Sequence, residues 1–161
     1  MVCSAEITRV PRVTDKVVSA TRFIPAPAQQ IFDLLADPSM HSVLDGSGTV
    51  KHPLDSAPKR LSLGAKFGMS MKIGLPYRIS NTVTAFDEPH HIAWKHAGEA
   101  VWDYRLEEID GGTNVTESWD YGASAITACF VSLVGFPKRN QKSMEATLER
   151  IEGHVACPTS H

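Results

Sequence analysis

Between Val101 and Tyr121 the chain reads VWDYRLEEIDGGTNVTESWDY, two alternating runs on either side of Asp110-Gly111-Gly112. Alternation is the signature of a strand, whose successive side chains point to opposite faces. The Asp-Gly-Gly step supplies the positive φ that a tight hairpin turn needs. The two runs therefore pair, and their parity is tied together. If Leu106 and Val115 face the core, Tyr104 and Trp102 follow on the first strand, and Glu117, Trp119 and Tyr121 follow on the second. One carboxylate thus lies in an otherwise apolar row. An unpaired charge in such surroundings costs several kcal/mol, so Glu117 must be neutral, paired, hydrogen-bonded or wet. Asn81, His96 and Tyr121 are the candidate partners by parity. A strand-end position, with Glu117 reaching solvent, Arg105 or a helix lysine, is the alternative.

The rest of the chain is organised around this hairpin. DKVVSATRFI alternates and is rich in β-branched residues, which predicts a first strand. In PAPAQQIFDLLADPSM the period changes: Ile31, Leu34 and Leu35 share a helical face, and Asp37-Pro38 ends the helix. Ser39 is placed to cap a second short helix through SMHSVL, and DGSG at 45–48 is a turn. Strands are expected near Thr49 to His52 and in AKFGMSMKI, YRISNTVTAF, HIAWKH and the hairpin. Met144, Leu148, Ile151 and Val155 recur at helical spacing and predict a long C-terminal helix. The expected fold is α+β: a curved antiparallel sheet of about seven strands wrapped around that helix, with two short helices after the first strand. Residues 1–14 are expected to be a tail or edge segment, 15–157 a single domain, and 158–161 a short tail.

A length of 161 residues suits one domain. A formal charge of -2 gives no reason to expect nucleic acid as a partner. Three cysteines without a CxxC pair indicate no disulfide framework and a reducing, cytoplasmic setting. The N-terminal residues carry charges among the apolar ones, unlike a signal peptide, and AITACFVSLVGF is too short to span a bilayer. His90, His91 and His96 lack a completing carboxylate or cysteine at ligand spacing, so no metal is expected. The sequence has no GxSxG, P-loop or dinucleotide fingerprint, and no cofactor is expected.

The element order, with FIPAPAQQIFDLLADPSMHSVLDGSG, DEPHHIAWKH and the hairpin, resembles the START-related helix-grip superfamily (SRPBCC), in its bacterial polyketide cyclase/dehydrase-like group. The likeness runs from about Val17 to Val155. It implies a cavity between sheet and C-terminal helix that takes a lipid, polyketide or other apolar ligand; some members are cyclases or dehydratases, and others are partner-binding modules. Three positions depart from the pattern: Leu44 stands where an aromatic residue is common, and His90 and His91 where arginines are common.

Parity assigns the inward side chains. Phe67, Met69 and Met71, then Ile79 and Asn81, Trp94 and His96, Trp102 and Tyr104, and Trp119 and Tyr121 face the helix, which contributes Met144 and Leu148. Lys66, Lys72, Arg78, Lys95, Asp103 and Arg105 face away. Aromatic and thioether side chains suit the walls of an adaptable pocket, with a solid core as the alternative. With Phe130 from the apolar 125–136 segment they form the expected ligand-binding set, and Glu117 is the candidate catalytic acid/base or polar anchor. The 125–136 segment is read as a lid or pocket wall, with a homodimer or other partner contact left open. Three functions follow: binding of a small hydrophobic ligand, cyclase or dehydratase chemistry through Glu117, and protein interaction through 125–136. Asp45 and Ser47 are read as turn residues that could border the entrance.

Overall fold

In the computed structural model, residues 16–96, 100–122 and 135–156 are described. The elements are β1 (Val17–Ile24), α1 (Ala28–Ala36), a short 3-10 turn (Pro38–Met40), α2 (His41–Leu44), β2 (Val50–Pro53), β3 (Lys66–Ile73), β4 (Leu75–Asp87), β5 (His91–His96), β6 (Val101–Ile109), β7 (Gly112–Asp120) and α3 (Phe136–Ala156). The seven strands form one antiparallel sheet in the order β1-β7-β6-β5-β4-β3-β2. β1 and β2 are consecutive in the chain yet lie at opposite edges, so α1 and α2 carry the chain across the concave side. The α+β helix-grip expected from the element order is the architecture found.

The local chemistry accounts for the ends of the helices. Pro27 precedes α1, and Asp37 follows it in an extended conformation, as the residue before a proline prefers. The next turn is capped by Asp37, not by Ser39: its Oδ1 accepts from the Ser39 amide at 2.8 Å and from the Ser39 hydroxyl at 2.6 Å. The buried face of α1 also differs from the expected one. Ile31, Phe32 and Leu35 are buried, whereas Leu34 is half-buried against the core. Phe32 meets Phe86 edge to face at 5.1 Å. Strict alternation along β4 would turn Phe86 outward, but a register shift between Val83 and Ala85 places it opposite Ile92.

Phe32→Ala is expected to destabilise the protein by about 3–5 kcal/mol, because a fully buried ring is replaced by a cavity at the junction of α1 and β4. Urea unfolding measures it, and a loss under about 1 kcal/mol would show that the site collapses freely.

α3 lays Met144, Thr147, Leu148, Ile151 and Val155 onto the sheet. It is fastened along β1 by Arg22, whose guanidinium meets Glu152 at 2.5 Å and Glu149 at 3.6 Å. The opposite face of the sheet is polar. There Asp103 receives His91 at 2.6 Å and Arg105 at 3.2 Å, so Arg105 points away from Glu117.

Candidate functional site

The concave face of the sheet and the first half of α3 enclose a cavity of about 420 Å³. Its walls come from β3 through β7, and α3 covers them with Phe136, Arg139, Asn140, Ser143, Met144 and Thr147. Leu35, His41 and Leu44 close one side, and the turn from Asp45 to Val50 borders it.

Phe67, Met69, Met71, Ile79, Asn81, Trp94, His96, Trp102, Tyr104, Glu117, Trp119 and Met144 all line this space. Tyr121 and Leu148 do not. Tyr121 lies just beyond β7 and stacks on Trp119, with ring centroids 4.8 Å apart. Leu148, one turn further along α3 than Met144, is consumed in the packed core with Ile151 and Val155. Phe130 and residues 123–134 lie outside the described residues, so of the 125–136 segment only Gly135 and Phe136 are placed. Phe136 opens α3 and lines the cavity.

The aromatic walls form two strings. Phe67, Trp94 and Tyr104 follow one another at centroid separations of 5.8 and 5.4 Å. Trp102 stacks on Trp119 at 5.9 Å, and Tyr121 extends that stack. His41, which no periodic signal marks in the sequence, lies parallel to Trp94 at 5.1 Å with Nε2 2.9 Å from the Leu35 carbonyl. Because a carbonyl only accepts, Nε2 carries the proton. Burial holds the His41 pKa below its ordinary value, against the opposing pull of that hydrogen bond.

Glu117 is 3% exposed, which excludes the strand-end alternative. Its partner is Tyr104, not Asn81, His96 or Tyr121: the Tyr104 hydroxyl donates to Oε1 at 2.7 Å. The two residues are direct cross-strand neighbours in the β6–β7 hairpin. The Asp110-Gly111 turn implies this register, so the pairing could have been found by counting back from it. Oε2 is buried and has no hydrogen-bond partner among the described residues. Burial pushes the Glu117 pKa up to about 8, partly opposed by the Tyr104 hydrogen bond and reinforced by the Asp45 charge. At neutral pH the carboxyl is therefore mostly protonated. Burial, with Glu117 beside it, also holds the Tyr104 phenol well above its usual range.

Asn81 and His96 pair with each other instead, Nδ1 of the ring meeting Oδ1 of the amide. Burial lowers the His96 pKa to about 4. The carboxylate of Asp45 is engaged in its own turn, accepting from the Ser47 amide and hydroxyl at 3.0 and 2.8 Å and from the Val50 amide at 2.9 Å. No group of three or more His, Cys, Asp or Glu side chains converges on a common point among the described residues. Nor is any helix among them long and apolar enough to cross a membrane.

A protein-family model described as polyketide cyclase / dehydrase and lipid transport matches residues 15–156. Protein Rv0088 of Mycobacterium tuberculosis is 38% identical over 144 residues, which is 86% of this chain and 64% of that protein. The chain thus spans less than two thirds of that relative's length. Among solved structures, protein Ms6760 of Mycobacterium smegmatis superposes with a TM-score of 0.67 at 23% identity, covering 87% of this chain and 90% of that one. The Aha1 protein of Colwellia psychrerythraea, described as a dimer, superposes at 0.63 with 11% identity, covering 89% and 98%. At these identities the structural matches speak for the fold.

Proposed function

Because the chain belongs to the polyketide cyclase / dehydrase and lipid transport family, we propose that it binds a small hydrophobic or amphipathic ligand, lipid- or polyketide-like, between the sheet and α3. The observation that carries this reading is Glu117 Oε2, without a partner among the described residues, in the wall of an aromatic cavity. A buried polar atom without a partner costs about 1–3 kcal/mol, and a ligand carbonyl or hydroxyl placed against it would recover part of that cost. The surrounding tryptophans and methionines supply apolar contact, and the protonated carboxyl supplies one directional hydrogen bond.

Native mass spectrometry of gently purified protein, with extraction of whatever it releases, tests the reading. A retained apolar molecule is expected, and Glu117→Leu, which offers the ligand neither donor nor acceptor, should bind it about tenfold more weakly while remaining folded, as loss of one buried hydrogen bond implies. Undiminished affinity in the variant would remove Glu117 from recognition. A protein that retains nothing and takes up no apolar probe would remove the cavity from function.

A second reading draws on the position of the Glu117 pKa, about 8, where a carboxyl can both give and take a proton near neutrality. In a cyclase or dehydratase, Glu117 would act as the acid/base, with Tyr104 holding its carboxyl in place by the hydrogen bond at Oε1. Turnover of the extracted molecule by the wild type, absent in Glu117→Gln, would favour the enzyme over the carrier.

A further inference from the structure

The cavity has a second polar locus, whose hydrogen-bonding capacity can be worked out from its neighbours. Asn81 and His96 are partners in the β4–β5 register, and Asn81 is buried. The Asn81 amide nitrogen donates to the Phe67 carbonyl at 3.4 Å, which turns the amide oxygen toward His96. An amide oxygen only accepts, so the ring nitrogen facing it, Nδ1, carries the proton. Burial keeps the imidazole neutral, and Nε2 is left as a bare acceptor with no donor to it among the described residues.

The two polar loci also differ in place. Glu117 is level with Tyr104 and Ile92, while His96 lies four residues beyond Ile92 along β5, at the end of the strand. Four residues advance about 13 Å along a strand, and β5 and β7 are two strand spacings apart, about 10 Å. The two components place the backbone positions about 16 Å apart, and with both side chains leaning inward the polar atoms stand at separate places in the cavity wall, on the order of 10–15 Å apart. One is a donor, the protonated Glu117 carboxyl; the other is an acceptor.

We propose that the ligand is an elongated, largely apolar molecule with a carbonyl-type acceptor at one end, received by Glu117, and a hydroxyl at the other, donated to His96 Nε2. This rests on the cavity-binding reading above and adds His96 as a residue that determines specificity. A ligand lacking the hydroxyl would leave the His96 acceptor desolvated and unpaired, which is how buried polar groups discriminate between otherwise similar molecules.

The test uses two fluorescent probes of the required shape, 6-propionyl-2-naphthol and its methyl ether, titrated at pH 6.5 against wild type and His96→Phe. Wild type is expected to bind the naphthol about tenfold more tightly than the ether, and His96→Phe to lose that preference while still binding the ether. His96→Leu serves in its place should the larger ring disturb folding. Equal binding of the two probes by wild type, or an unchanged preference in the variant, overturns the assignment of His96 and leaves the cavity reading standing. Binding of neither probe by wild type overturns the assignment of His96, and if native mass spectrometry also finds nothing retained it overturns the cavity reading as well.

Discussion

At pH 8, Glu117→Gln is expected to be more stable than the wild type by about 3 kcal/mol. The Glu117 pKa is raised on folding, from 4.5 to about 8, because the buried carboxyl resists ionisation. Below 4.5 the group is protonated in folded and unfolded chains alike, and it adds no pH dependence. Between 4.5 and about 8 the unfolded chain ionises while the folded one stays protonated, so each pH unit costs about 1.4 kcal/mol of stability. Above about 8 both forms ionise and the penalty levels off near 5 kcal/mol. Glutamine cannot ionise, and its carbonyl can still accept from Tyr104. Its amide would stand unpaired where Oε2 does now, which returns about 1–2 kcal/mol of the gain.

Urea unfolding of both proteins at pH 5, 6, 7 and 8 measures the effect. The difference between them should widen with pH. His96, whose lowered pKa works in the opposite sense as pH falls below its ordinary value, is common to both proteins and cancels. Parallel stability profiles would mean that Glu117 is ionised in the folded protein, against the burial seen here. A variant stabilised by removal of the ionisable group is also the pattern expected where a costly buried group is kept for function rather than for the fold.

Gly46→Ala is expected to cost about 3 kcal/mol or more, and to disturb the cavity mouth with it. A Cβ at Gly46 would lie 2.2 Å from the Ser143 carbonyl oxygen, 2.6 Å from the Thr147 amide nitrogen and 2.7 Å from the Ala146 Cβ. These are the backbone and a short side chain of α3, which cannot rotate away. The same contact brings the Gly46 amide to the Thr147 hydroxyl at 2.9 Å, fixing the helix over the turn that carries Asp45 and Ser47. Gly48, two residues on, is the control. It has φ +68 and nothing within 4 Å of an added Cβ, so Gly48→Ala should cost only the left-handed backbone penalty of about 1 kcal/mol. Thermal and urea unfolding of the pair decide the matter, and equal losses would show that α3 can move off Gly46.

The periodicities that depend only on neighbouring residues were enough to determine the architecture of this protein. The Asp-Gly-Gly hairpin tied the parity of β6 to that of β7, the spacing of Met144, Leu148, Ile151 and Val155 set the buried face of α3, and alternation placed Glu117 among the tryptophans. Even Tyr104 as the partner of Glu117 was within reach, since hairpin register follows from the turn. What only the tertiary structure decided arises between elements distant in the chain. The bulge at Val83 and Ala85 turns Phe86 inward against the alternation, because Phe32 on α1 waits there for it. Tyr121 and Leu148 have the parity of cavity residues, yet neighbouring packing takes them first. His41 reaches Trp94 across a gap that no local pattern spans. Gly46 and Gly48 read alike in DGSG, but one is needed for the close approach of α3 and the other for its own dihedral. Local pattern sets which face a side chain joins; the crossing of α3 over the sheet sets which of those side chains pack and which are left to line a cavity.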